Sequence, residues 1–208
     1  MSGRPREFDR GEALEAAMRA FWAAGYERTG LPDLQAAMGI GRQSLYNAFG
    51  DKRTLFLEAL DHYGTTQFRW LHAQLAAPGS GLANIRAVLE SWVDAVSAPG
   101  FTGCLVCNSA IEFGRDPEVT AITERHNRAI EESFRAALNR AVGDGEWPAG
   151  SDVGALAQFL ANLGQGLALQ GRGGLSRQKA AAICGVALAL LDAGVSPPAA
   201  DTPPQAPS

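Results

Sequence analysis

The stretch Ala36-Ala37-Met38-Gly39-Ile40-Gly41-Arg42-Gln43-Ser44-Leu45-Tyr46-Asn47-Ala48-Phe49-Gly50-Asp51-Lys52 decides how the whole chain is read. Glycines break it before Arg42 and again after Phe49, so Arg42 to Phe49 is expected to be a two-turn helix between turns. Leu45 and Phe49 stand four residues apart and supply its inward side. That leaves Arg42, Gln43, Ser44, Tyr46 and Asn47, a polar face without one acid. These side chains suit base edges and phosphates: Arg toward guanine, Gln and Asn toward adenine, the hydroxyls toward the backbone.

Working outward, a short helix is expected over Leu31 to Met38. Pro32 lies in its first turn, where a missing N–H costs nothing, and Asp33 favours the positive helix end. Before it, Leu14, Ala17, Met18, Phe21 and Trp22 form one stripe of a helix from about Arg10 to Ala24, capped by Asp9. After it, Asp51 caps a fourth helix expected to reach about Ala76, with Leu55, Phe56, Ala59, Leu60 and Tyr63 turned inward. Two short helices across a Gly-bearing turn, ahead of a long one, define a helix-turn-helix over about Thr29 to Ala48.

Beyond the Pro78-Gly79-Ser80-Gly81 loop, helices are expected at 82–97, 103–114, 117–142, 152–170 and 176–193, separated by Gly- or Pro-bearing breaks. No alternating pattern long enough for a sheet occurs, so the expected fold is all-α with about nine helices. Residues 1–50, with the start of helix four to about 60, form the expected helix-turn-helix domain. Residues 51–195 are expected to bind an effector and dimerise. Residues 196–208 hold five prolines in thirteen positions and read as a disordered Pro-rich tail.

The chain has 208 residues and a formal net charge of −4, which at first speaks against a nucleic-acid partner. The first sixty residues hold eight bases and eight acids, however, so the whole acidic excess belongs to the remainder. A local positive face is compatible with that balance. Arg4 and Arg6 would suit a flexible arm reaching a groove, or simply a solvated start. The longest uncharged run, Val153 to Gly171, is interrupted by Gln158, Asn162, Gln165 and Gln170, which argues against a spanning helix. The start lacks the apolar core of a secretory signal, so a cytoplasmic protein is expected.

The run Gly25-Tyr26-Glu27-Arg28-Thr29, followed by the quoted stretch with its Leu45-Tyr46-x-x-Phe49-x-x-Lys52 ending, resembles the DNA-binding domain of TetR/AcrR-type transcriptional regulators. The resemblance covers about residues 8–60. It implies a homodimer that reads a palindromic operator in double-stranded DNA. It further implies C-terminal helices that hold an effector pocket and the dimer interface, and a repressor as the usual mode. Arg42, Gln43, Ser44, Tyr46 and Asn47 would be the recognition-helix contacts, and Lys52 would grip a phosphate. Gly30 and Gly41 stand where such regulators usually carry a Ser or Thr cap, which removes a hydroxyl that often meets phosphate.

The C-terminal region is read from its residues. Trp70, Trp92, Phe101, Phe113 and Phe134, with Phe159, are candidates for lining an effector cavity between helices four to seven, with ordinary core packing as the alternative. The last two helices, about residues 152–193, are small and nearly uncharged, and a second copy of the chain would cover them as part of a four-helix interface.

Cys104 and Cys107 stand three apart. They are read as buried small residues, as a thiol sensor with Cys104 the reactive member in the first helical turn, or as a soft-metal site completed by His62, His72 or His126. Cys184 reads as packing. No Gly-rich phosphate loop, nucleophile elbow, His-Glu-x-x-His or Glu-x-x-His pattern occurs, so neither an enzyme nor a cofactor is expected. The remaining alternative to a DNA-binding regulator is a helical ligand-binding or interaction bundle without DNA activity.

Overall fold

A computed structural model describes residues 8–194. Arg4, Arg6 and the Pro-rich tail at 196–208 lie outside the described residues. Ten α-helices and no strand occur among those described: α1 (Arg10–Ala24), α2 (Leu31–Met38), α3 (Arg42–Phe49), α4 (Lys52–Gln67), α5 (Arg69–Ala76), α6 (Gly81–Val96), α7 (Leu105–Phe113), α8 (Pro117–Gly143), α9 (Val153–Arg172) and α10 (Arg177–Asp192). The caps expected at α1 and α4 form: the Asp9 and Asp51 carboxylates accept the backbone N–H of Glu12 and Thr54.

The fourth helix does not run unbroken to Ala76; it stops at Gln67 and α5 restarts at Arg69. The Thr65 hydroxyl donates to the Asp61 carbonyl at 3.0 Å and that of Thr66 to the His62 carbonyl at 2.8 Å, and such back-bonding weakens and bends a helix. Phe68, at the break, turns its ring onto Tyr63.

The chain divides into two compact units. One runs to Arg69 and takes in Thr102–Asn127; the other comprises Trp70–Phe101 and the chain from Arg128 onward. The division therefore does not fall at residue 50. The reason is visible in the core of the first unit. Phe21, Leu34, Leu45, Leu55, Phe56 and Leu60, all fully buried, pack with Leu105 and Val106 of α7. The inward faces of α1 to α4 thus need α7 to close them. Burying a large apolar side chain is worth about 1.5–3 kcal/mol, which makes these helices one cooperative body rather than a detached reading head.

In the second unit, Ile85, Val88 and Leu89 of α6, Phe134 and Leu138 of α8, and Leu156 and Leu160 of α9 are buried. On α10, Ala180, Cys184, Ala187 and Leu191 form one buried stripe at helical spacing. Trp92 lies against α9 at Gly164, where an added Cβ would stand 2.5 Å from the indole. Gly164→Ala is therefore expected to lower the stability of this unit by about 1–3 kcal/mol through overpacking. A chemical-denaturation midpoint matching the parent's would show that Trp92 moves aside freely.

Candidate nucleic-acid interface

The turn between α2 and α3 begins at Gly39, whose φ of +66° lies in the left-handed region that side chains with a Cβ avoid. The following Ile40 points into the core and donates its N–H to the Gln35 carbonyl at 3.3 Å, which fixes where α3 starts. The absent cap hydroxyl at Gly30 is offset: the Asp33 carboxylate accepts the Gly30 N–H at 2.8 Å. No side chain caps α3 at Gly41.

Leu45 and Phe49 are buried, as their spacing required, and hold α3 against the core. Arg42, Gln43, Tyr46 and Asn47 are exposed, while Ser44 is half-buried. The four exposed side chains are ordered in two pairs. Arg42 lies 5.6 Å from the centre of the Tyr46 ring, and the Gln43 amide donates to the Asn47 side-chain carbonyl at 2.9 Å. A face already held in such pairs loses less side-chain entropy when it docks.

Lys52, in the first turn of α4, sets its ammonium 4.1 Å from the centre of the Tyr26 ring, a cation–π contact that aims its long stem. Arg53 is committed elsewhere. It meets the Asp116 carboxylate at 2.6 Å and that of Glu118 at 2.9 Å, and these partners raise its pKa above the ordinary arginine range. Asp51 is held below the usual carboxylate range, chiefly by the backbone N–H and the hydroxyl of Thr54.

Behind this face, α7 is tied to the helix-turn-helix at both ends. Trp22 donates its indole N–H to the Gly103 carbonyl at 2.9 Å. Near the other end of α7, the Glu112 carboxylate accepts the backbone N–H groups of Tyr26 at 3.0 Å and Glu27 at 2.9 Å. The Tyr26 ring so positioned is the one beneath Lys52. Glu112, Arg53 and Trp22 were not singled out for these roles in the sequence, because their partners stand between 63 and 86 residues away.

The aromatic residues expected to line one cavity divide between the two units. Phe113 belongs to the first unit, stacked on Phe56 at 5.0 Å between centroids. Trp92 packs edge-on to the buried Phe134 at 5.8 Å, and Phe101 lies against Gly171. Trp70 is 50% exposed and Phe159 also faces solvent. An open cleft of about 410 Å³ in the second unit is lined instead by His72, Leu75, Ser133 and Arg140, among others, with His72 and Ser133 hydrogen-bonded at 2.7 Å.

Cys104 is the N-cap of α7 rather than a first-turn residue, and Cys107 occupies the third helical position. Cys104 packs in the same apolar cluster as Tyr63, and its side chain makes no cap hydrogen bond to α7. The neighbouring Cys107 thiol, helped by the N–H groups at the start of α7 and by the Tyr63 hydroxyl and against the opposing effect of burial, lowers its pKa to about 7. The Cys107 thiol is pushed up by the neighbouring Cys104 sulfur and by burial. Cys184 packs in the second core, where burial raises its pKa.

The histidines do not gather at the cysteines: His62 pairs with Glu15 at 2.9 Å, His126 with Asp61 at 2.8 Å, and His72 with Ser133. Among the described residues no group of three or more His, Cys, Asp or Glu is placed to hold a metal ion, and no helix is long and apolar enough to cross a membrane.

A buried three-helix body presenting an acid-free polar helix face, with a lysine at the next helix start, defines a helix-turn-helix DNA-binding protein. The chain belongs to the TetR family of transcriptional regulators. Residues 13–59 match the model of the bacterial regulatory proteins of the tetR family, and residues 81–183 match the tetracyclin repressor-like C-terminal domain. The chain is 39% identical over 161 residues to the HTH-type transcriptional regulator YezE of Bacillus subtilis, covering 76% of this chain and 83% of that protein. It is 35% identical over 194 residues to the HTH-type transcriptional repressor ComR of Escherichia coli, covering 90% and 91%. Among solved structures, a cysteine mutant of the TetR family regulator CifR, complexed with 26-bp operator DNA, matches with a TM-score of 0.78 at 34% identity, covering 90% of this chain and 98% of that one.

Proposed function

We propose that the protein is a homodimeric repressor that reads a palindromic operator with α3 and is released by a small-molecule effector or by thiol modification. The observation that carries this reading is the face of Arg42, Gln43, Tyr46 and Asn47, exposed, paired and free of acid, on a helix whose opposite side is locked by Leu45 and Phe49. Arg42, Gln43, Ser44, Tyr46 and Asn47 contact base edges and the flanking backbone, and Lys52 contacts a phosphate. The complex of CifR with operator DNA and the repressor description of ComR support this reading.

The dimer uses α9 and α10, about residues 152–193. Each helix leaves apolar side chains in solvent in the single chain: Phe159 and Leu169 on α9, Val186 and Leu190 on α10, with Val186 63% exposed. A second copy covers them. Two recognition helices about 34–36 Å apart then enter successive major grooves, and an effector that favours another spacing releases the DNA. The protein works in the cytoplasm, where the operator is, and has no enzymatic role.

Binding of the full chain to duplex DNA over a range of salt concentrations tests this. A steep fall of affinity with salt, and a preferred sequence recovered from a random duplex pool, are the expected results. Failure to bind any duplex would leave a helical bundle without DNA activity. Lys52→Ala is expected to weaken specific and random duplexes alike and to lower the salt slope by about 1. An unchanged slope would take Lys52 out of the interface.

A further inference from the structure

The geometry points to a binding site for a small organic acid, a carboxylate on an apolar body, in the cleft between α5 and α8 of the second unit. Naming that acid as the effector rests on the function proposed above; the binding itself does not.

The cleft exists because the residues that face each other are small. Ala76 on α5 and Ala129 and Ala136 on α8 carry nothing beyond a Cβ, and about 410 Å³ is left open between the helices. That volume lies in the range of small-molecule sites. The α8 lining falls at residues 129, 132, 133, 136 and 140, one face of the helix, and Leu75, almost wholly buried, gives the cleft an apolar floor.

Arg140 sets the chemistry of the occupant. It is half-buried, and its guanidinium donates one N–H to the Leu75 carbonyl at 2.6 Å, near the C-terminus of α5. That bond uses one of five donors. Among the described residues no carboxylate is paired with Arg140, and Glu132, the acid of the lining, meets Arg135 at 4.0 Å instead. A partly buried cation without an anion is costly, and a planar guanidinium with donors to spare takes a carboxylate through two parallel hydrogen bonds. Capping α5 requires neither the remaining donors nor the open space beside them.

The far end of the cleft limits the body of the acid. His72 and Ser133 are hydrogen-bonded at 2.7 Å, and the Ser133 hydroxyl also lies 3.0 Å from the Ala129 carbonyl. Ser133 and Arg140 stand seven residues apart on α8, about 10 Å along its axis. A single aromatic ring or a chain of octanoate's length fits that span, with its head at Arg140 and its body over Leu75, Ala76 and Ala136.

Occupancy bears on the DNA-reading face through α8 itself. The helix is unbroken from Pro117 to Gly143. In the first unit its early turns carry Glu118, paired with Arg53 at 2.9 Å, and His126, paired with Asp61 at 2.8 Å. Arg53 follows Lys52 at the start of α4. An acid that favours one position of α8 therefore biases where these pairs hold α4.

The test titrates the full chain by calorimetry with octanoate and with 3-phenylpropionate, each against its neutral amide, and with inorganic phosphate as a bare anion. At least one acid is expected to bind about tenfold or more tightly than its amide and than phosphate, through the charge-assisted pair with Arg140 and the buried apolar body. Ala136→Leu fills the cleft at an exposed helical position and is expected to remove binding while the denaturation midpoint stays that of the parent. Arg140→Met is expected to abolish the preference for acid over amide. Arg140→Lys, which keeps the charge but not the fork, is expected to weaken the acid about tenfold. Affinity for a duplex selected by the unliganded protein is expected to fall about fivefold or more at saturating acid.

Failure of both acids to bind, equal binding of acid and amide, or undiminished binding by the Ala136→Leu chain overturns the site. If Arg140→Met does not fold, the Ala136→Leu and Arg140→Lys chains decide the matter. An acid that binds while duplex affinity stays constant overturns its role as effector. If the unliganded chain binds no duplex, the failure lies with the operator-binding reading, and calorimetry still decides the cleft.

Discussion

Phe56→Ala is expected to lower the stability of the first unit by about 3–5 kcal/mol, the largest single effect among the substitutions considered. Phe56 is wholly buried and makes three ring contacts, edge-on to Phe21 at 5.1 Å and Tyr26 at 5.0 Å, and stacked on Phe113 at 5.0 Å. These come from α1, the α1–α2 loop and α7, so truncation leaves a cavity where three segments meet. Aromatic pairs add about 0.5–1.5 kcal/mol each beyond the area they bury, which places this site at the upper end of the range. Chemical denaturation followed by circular dichroism reads the shift in midpoint. A loss below about 1 kcal/mol would show that the rings do not form the keystone. Trp70→Ala, at a half-exposed side chain, is the control and should stay within about 0.5 kcal/mol of the parent.

The largest effect on recognition is expected from Arg42→Ala. On the proposed function, the Arg42 guanidinium at the first position of α3 makes the bidentate contact that distinguishes guanine, and its loss should cost about 1–3 kcal/mol while relaxing preference at one base position per half-site. The Tyr46 ring that backs Arg42 would lose its partner as well, so part of the loss reflects a less ordered face. Competition between the selected duplex and singly substituted duplexes measures both effects. Equal weakening across all duplexes would make Arg42 a phosphate contact, and no weakening would remove α3 from the groove. Lys52→Ala supplies the comparison, since a phosphate contact carries no base preference.

Much of the fold was legible locally. The 3.6-residue spacing of Leu45 and Phe49, the Asp9 and Asp51 caps and the Gly- and Pro-bearing breaks placed most helix bounds within a residue or two. These signals are short-range, and short-range signals survive in a sequence without its tertiary partners. The break at Phe68 was missed because two threonines within a helical pattern read as neutral until their hydroxyls turn back onto the carbonyls.

The outward face of α3 was legible for the same local reason. What supports it was not. Glu112 reads as an ordinary surface acid in α7, yet it accepts two backbone N–H groups 85 and 86 residues earlier in the chain. Phe113 read as a lining residue for an effector, because nothing in its neighbours reveals that Phe56 stands beneath it.

The placement of Thr102–Asn127 within the first unit also has a consequence in time. A chain made from its N-terminus has all of α1 to α4 long before α7 exists, and those helices then have no cover for Phe56 and its neighbours. The reading unit cannot close on the ribosome until Asn127 has emerged, by which point most of α6 to α8 is already in solution. Recombination meets the same constraint. A reading head cut at residue 60 and grafted onto another body leaves its lid behind, whereas a graft that carries 102–127 with it takes the whole unit.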